Sequence, residues 1–205
     1  MLSLPHKIND KDLCLSIIRP TQKDAKTFFN LVHRNRNFLS AYFRPMVSEV
    51  TTEDSALSYL KNDKHPYRYF ICRQDIPIGE IYTYNFPDNS TTVGYWIDKQ
   101  YTRQGIITKA LNLMEKTLFE SGCQVIRLNI SSVNTPSLRL ALKNGYIEQY
   151  SDLSIDISRC FEKTKKMYFA QSQNKRPHRI CSHHGNATEQ MTQIRLNSMN
   201  TMQRG

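Results

Sequence analysis

The chain has 205 residues and carries 28 Lys and Arg against 18 Asp and Glu, a formal charge of +10 at pH 7. That length fits one domain with room for an appendage, and the charge points to an acidic or polyanionic partner. Cys14, Cys72, Cys123, Cys160 and Cys181 form no CxxC pair, residues 1–11 are mixed and polar, and no run has the apolar length of a membrane span. These features argue against a metal site, a disulfide framework, a signal peptide and membrane contact, and lead to the expectation of a cytoplasmic protein.

In chain order, a strand is expected over 13–19, stopped by Pro20. Thr21 caps a helix over about 22–34 that has Ala25, Phe28, Phe29 and Val32 on one face. Residues 38–47 are aromatic and irregular, and Thr52, Glu53, Asp54 and Ser55 open a second helix to about Leu60. The apolar period then falls to two. Strands over 67–73, 76–86 and 91–97 read as an antiparallel meander, with Gly79 at a bulge position and a turn at Pro87, Asp88, Asn89 and Ser90. A helix follows over about 104–120, ended by Ser121-Gly122, and then a strand over 124–130. The unit 91–130 is therefore β–α–β, which makes its two strands parallel. Asn134 caps a further helix with Pro136 in its first turn, and Asn144-Gly145 stops it. The last strands are expected over 146–150 and 167–170. This is an α/β (α+β) pattern with a mixed sheet.

After Ala170 the composition changes. Residues 171–205 are polar and hold five Lys or Arg against the single acid Glu189. They are expected to form a disordered basic tail beyond a domain at 1–170. Cys181, His183 and His184 are clustered, but three candidates in a flexible tail do not indicate a metal centre there.

The informative junction is Gly94 to Thr108. Val93, Tyr95 and Ile97 alternate with Gly94, Trp96 and Asp98, and from Ile107 the apolar residues recur at helical steps through Ala110, Leu111, Met114 and Leu118. Arg103-Gln104-Gly105 falls between strand and helix. A helix start has free N–H groups and positive dipole character, Gly105 lets a ligand approach, and Arg103 and Thr108 add donors. That is the construction of a phosphate cradle.

Four features now coincide in order: the strand Gly94-Tyr95-Trp96-Ile97, the turn Arg103 to Thr108, the helix start Asn134-Thr135-Pro136-Ser137 and the ending Asn144-Gly145-Tyr146. Over roughly 13–170 the chain resembles the GNAT N-acetyltransferase superfamily, and within it the RimJ/RimL branch, which acetylates protein N-terminal amines. The resemblance implies a central mixed sheet of about six or seven strands, splayed between the strand ending near Ile97 and that ending near Ile130, flanked by helices. It implies acetyl-CoA as cosubstrate and no metal. The pyrophosphate would rest on the N–H groups of Arg103, Gln104, Gly105, Ile106, Ile107 and Thr108. The pantetheine arm would pair with backbone at Trp96 and Ile97, and Asn134 would reach the arm or thioester. The cradle departs from the family pattern with Thr102 in its first place and Ile107 in its last, the latter as in the RimL-like branch.

The resemblance also implies direct attack of an amine on the thioester. Many members use a Tyr acid where this chain has Ala141; in the RimL-like branch a Ser has that role, which falls on Ser137. Glu80, on the strand beside the cradle strand, is the first candidate for general base, with Glu148 second. The acceptor is expected to be a protein N-terminus or a small amine, shaped by residues 34–50. The alternative is a GNAT-like module that binds CoA, RNA or the ribosome through the basic tail without turnover.

Overall fold

The computed structural model describes residues 3–10, 13–61, 65–84, 89–149 and 158–174. In chain order the elements are β1 (Lys7–Asp10), β2 (Leu13–Ile17), α1 (Gln22–Arg34), α2 (Arg36–Leu39), α3 (Arg44–Glu49), α4 (Glu53–Leu60), β3 (Tyr67–Arg73), β4 (Ile76–Thr83) and β5 (Ser90–Ile97). Then come α5 (Ile106–Glu120), β6 (Val125–Ser131), α6 (Thr135–Lys143), β7 (Ile147–Gln149), β8 (Ser158–Thr164) and α7 (Lys165–Asn174). Contacts divide the chain into Met1–Gln171, which carries everything below, and Ser172–Gly205, of which only the end of α7 is described.

The helices start where their caps dictate. Thr21 Oγ1 accepts from Asp24 N–H at 3.2 Å, and Thr52 and Ser55 cap α4 reciprocally. Asn134 Oδ1 accepts from Ser137 N–H at 3.3 Å at the head of α6.

The eight strands lie in the order β1-β2-β3-β4-β5-β6-β8-β7. Among the described residues only β5 and β6 run parallel; the other neighbours are antiparallel, so the sheet is mixed as expected. Near Gly79 the β3–β4 register slips between Ile71 and Cys72, which is the expected irregularity. One apolar cluster joins a sheet face to α5 and α6 through Leu111, Met114, Phe119, Leu138 and Phe161. A second joins the other face to α1–α4 through Phe28, Leu31, Leu39, Val47 and Trp96.

The structure departs from the expected elements at four places. Residues 167–170 are helical, within α7, and the strand beside β6 is β8. Its inward face carries Phe161 and Lys163, and Lys163 is buried because its ammonium pairs with Glu115 Oε2 at 2.8 Å and donates to Asn144 O at 2.8 Å. A lysine on the core face hides the alternation that would mark a strand. The segment expected to be irregular, 38–47, holds the end of α2 and most of α3. Strand β1, with the polar sequence KIND, forms by pairing with β2. The strand expected over 76–86 ends at Thr83, and residues 85–88 lie outside the description.

Candidate functional site

The parallel ladder between β5 and β6 is short. Ser90, Thr91 and Thr92 face Val125, Ile126 and Arg127, and among the described residues the ladder ends there. β5 continues to Ile97 and β6 to Ser131, so the sheet splits between them.

What β5 turns toward the split follows from hydrogen-bond parity. Tyr84 N–H donates to Thr92 O at 2.9 Å, and Asp98 N–H to Ile78 O at 2.7 Å. The β4–β5 register between these pairs is unbroken, from Thr83 opposite Val93 to Gly79 opposite Ile97. Gly94 and Trp96 therefore direct their N–H and C=O to β4, whereas Val93, Tyr95 and Ile97 direct theirs to the other edge. Ile97 has the orientation expected of a residue that pairs with an extended ligand. Trp96 does not, and Tyr95 takes its place.

A cleft of about 740 Å³ opens at the split. Its floor is Tyr95, Trp96 and Ile97. One side holds Tyr101, Thr102, Arg103, Gly105, Ile106, Ile107 and Thr108, another Asn134, Ser137 and Arg139, and the aromatic wall is Phe38, Leu39, Tyr42 and Phe43. All the expected cosubstrate residues border this cleft except Gln104. The Gln104 side chain instead accepts from Arg73 Nη1 at 3.2 Å and donates to Gln100 O at 3.0 Å. Sequence reading missed Tyr101 and Arg139, which belong to no motif.

The head of α5 suits an anion. Arg103 and Gly105 both have left-handed backbone, φ 62° and 74°. No side chain caps the helix, so its first N–H groups stay available. A Cβ placed at Gly105 meets no atom within 4 Å, which means that the backbone there faces open space. With Arg103 and Arg139 at its rim, the cleft fits a diphosphate followed by a strand-like arm along Tyr95 and Ile97.

The end of β5 is anchored from α1. Arg34 Nε donates to the buried Asp98 carboxylate at 2.6 Å, and Lys99 N–H donates to Asn35 Oδ1 at 3.0 Å. These bonds fix the cleft floor against the helix that leads into the aromatic wall.

Glu80 is not brought to the cleft. Its side chain is 0% exposed, Arg68 Nη1 donates to Oε1 at 2.6 Å, and Trp96 Nε1 donates to Oε2 at 2.8 Å. Both oxygens are engaged by buried donors, and neither Glu80 nor Arg68 borders the cleft, which gives the pair a structural part. Glu148 pairs with Arg159 through both oxygens, and that pairing holds its carboxyl below the usual range. It does not border the cleft either. Ser137 does, in the first turn of α6. Facing it is the Tyr95 phenol, which burial pushes up to about 12 and the Ser137 hydroxyl partly pulls back.

A split mixed sheet with a bare helix N-terminus at its mouth defines a class of transferase, one that lays a long diphosphate-bearing cosubstrate between two strands. The acetyltransferase (GNAT) domain family matches residues 15–147. The chain belongs to this family, the acetyl-CoA-dependent N-acetyltransferases. No curated protein matches the sequence. Among solved structures, similarity extends to RimL, a ribosomal L7/L12 alpha-N-protein acetyltransferase in complex with coenzyme A. The identity is 16%, the TM-score is 0.70, and 78% of this chain and 99% of that one are covered. The chain is also similar to a ribosomal-protein-S5-alanine acetyltransferase from Vibrio fischeri, with 18% identity, a TM-score of 0.66 and coverage of 79% and 98%. A third is MccE, a microcin C7 self-immunity acetyltransferase in complex with acetyl-CoA and AMP, with 17% identity, a TM-score of 0.63 and coverage of 76% and 93%. Among the described residues no helix is long and apolar enough to cross a membrane. The basic segment expected to touch RNA or the ribosome lies outside the described residues from 175 on.

Proposed function

We propose that this protein transfers the acetyl group of acetyl-CoA to a protein N-terminal amine, by direct attack within a ternary complex, using a catalytic unit at residues 1–170. The observation that carries the reading is the split beside Tyr95 and Ile97, with the bare α5 N-terminus at its mouth. The N–H groups from Arg103 to Thr108 hold the diphosphate, and Arg103 adds charge. Tyr95 and Ile97 pair with the pantetheine arm as an added strand would. Ile97 N–H polarises the thioester carbonyl, where negative charge develops. Asn134 fixes the head of α6 and so the position of Ser137. As the new carbon–nitrogen bond forms and the carbon–sulfur bond breaks, Ser137 Oγ–H protonates the leaving sulfur. The serine regains a proton from water, and the proton shed by nitrogen goes to water. With Glu80 and Glu148 engaged elsewhere, water removes the proton from the incoming ammonium.

The acceptor enters past Phe38, Leu39, Tyr42 and Phe43. Two of the structural relatives are named as acetyltransferases of ribosomal proteins, which supports a peptide N-terminus over a small amine. The test is acetyl-CoA calorimetry on the wild type and Gly105→Glu, followed by peptides with free N-terminal Ser, Thr or Ala. The substitution sets a carboxylate beside the diphosphate and should weaken binding at least about 100-fold. Equal binding by both proteins would remove the cradle. Binding without acetylation of any peptide would leave a CoA-binding module.

A further inference from the structure

The floor of the cleft holds a polar group that the roles above do not use. The Tyr95 hydroxyl is fully enclosed and makes no hydrogen bond of ordinary geometry. A buried hydroxyl without a partner is costly, and such groups concentrate where a partner arrives with a ligand. Tyr95 sits at the centre of the split, on β5, with its side chain packed into the cluster that contains Leu138 and Ala141 of α6. Ser137 lies in the first turn of that helix, and its hydroxyl pulls the phenol back toward its ordinary value. Both residues border the same cleft.

We propose that Tyr95 is the positioning residue for the Ser137 acid: its phenol O–H donates to Ser137 Oγ and turns the serine's own proton into the cleft. The inference rests on the acid role assigned to Ser137 above. A serine hydroxyl has one proton and a free rotor, so alone it can donate to any nearby acceptor. An oxygen that already accepts from Tyr95 must send its proton elsewhere, and the open direction is the cleft, where the sulfur leaves. Tyr95 suits this task because burial keeps the phenol protonated across the working pH range. It is a permanent donor. Tyr146 and the Glu115–Lys163 pair are the titratable groups behind it; burial raises the Tyr146 hydroxyl too, and Glu115 and Lys163 neutralise one another.

The test needs no acceptor. A donor aimed at the sulfur favours the thiolate, so bound CoA should have a lowered thiol pKa and bind more tightly as pH rises through the thiol range. A lowering by one unit from a free value of about 8.5 makes binding about sixfold tighter at pH 9 than at pH 7. CoA affinity would be measured at both pH values for the wild type, Tyr95→Phe, Ser137→Ala and the double variant. Tyr42, Tyr101, Arg103 and Arg139 also face the cleft, but they are common to all four proteins and cancel. The expected result is an increase of about sixfold in the wild type and less than about twofold in each variant, the double being no flatter than either single. Tyr95→Phe keeps the aromatic ring in the core and loses one hydroxyl, so the variant should remain folded.

A Tyr95→Phe response equal to wild type, with Ser137→Ala flattened, overturns the Tyr95 inference and leaves the serine in place. Wild-type responses in both single variants overturn the acid role as well. Two partial losses that add in the double variant mean that the residues act separately, which also refutes the relay. Failure of the wild type to bind CoA removes the site itself.

Discussion

Glu80→Ala separates a structural carboxylate from a catalytic one. Glu80 and Arg68 are paired at 2.6 Å with side chains 0% and 4% exposed, and the Trp96 indole donates to the same carboxylate. Removing Glu80 leaves a buried guanidinium without its counter-charge, and the Arg68 Nε and Nη2 atoms already lack hydrogen-bond acceptors, having only the Tyr59 and Tyr82 rings beside the group. Breaking a buried pair from one side costs about 3–5 kcal/mol. For a domain of this size each kcal/mol moves the midpoint by about 2–4 °C, so the melting temperature should fall by roughly 6–20 °C. Replacing the pair together, with Glu80→Leu and Arg68→Met, should recover much of that loss, because no isolated charge remains. The assay is thermal unfolding beside acetyl transfer at a temperature where every variant is folded. Turnover per folded molecule should stay within a few-fold of wild type. An unchanged melting temperature with turnover down about 100-fold would refute the reasoning and return Glu80 to the role of base.

Lys163→Met should act similarly on the other side of the sheet, since it strands the Glu115 carboxylate inside the core. A loss of about 3–5 kcal/mol is expected in urea unfolding. Saturating CoA should stabilise the wild type by about 2.7 kcal/mol at 100 times its Kd, a rise of roughly 5–10 °C by thermal shift, and should leave Gly105→Glu unmoved. Alkaline pH should weaken the fold. Tyr59 and Tyr95 are pushed up to about 12 by burial, above the ordinary value of 10. Between those values the unfolded chain gives up phenol protons that the folded chain keeps, so stability is full below pH 10 and is lost as pH climbs toward 12. A urea midpoint that held constant from pH 9 to pH 11.5 would contradict this.

The parts legible in the sequence were those in which one residue type does one job. The meander of β3, β4 and β5 shows because each strand has an apolar face, and α5 shows because Ala110, Leu111, Met114 and Leu118 keep helical spacing. The turn before α5 shows because a glycine is needed where φ is 74°. The rest depended on partners distant in sequence. β8 was hidden because Lys163 occupies a core position, which is tolerable only with Glu115 facing it. The engagement of Glu80 is not legible either, because it follows from the register that sets it opposite Trp96 and Phe70. Strand alternation says that Glu80 and Trp96 each face one side of the sheet, but not that they face the same side. The exchange of Trp96 for Tyr95 as a ligand-facing residue has the same origin, since hydrogen-bond parity is fixed by the pairing with β4.

A split sheet also needs something to keep its halves from parting. Among the described residues, β6, β8 and β7 meet β5 through a three-residue ladder. The connection runs through α5. This helix packs on β2 and β5, and its buried Glu115 holds Lys163 of β8, whose ammonium also takes the carbonyl of Asn144 at the end of α6. On the opposite side, Arg68, Glu80 and Trp96 tie β3, β4 and β5 together, and Arg34 with Asp98 ties α1 to the end of β5. Each half is therefore braced by its own buried charge, and one helix joins them beneath the gap. The bracing lets β5 and β6 diverge without unravelling, and it frees the N–H and C=O groups of Tyr95 and Ile97. Those groups lie beyond the β5–β6 ladder and point to the edge that borders the cleft, so the charges that line no part of the cleft hold its floor in place.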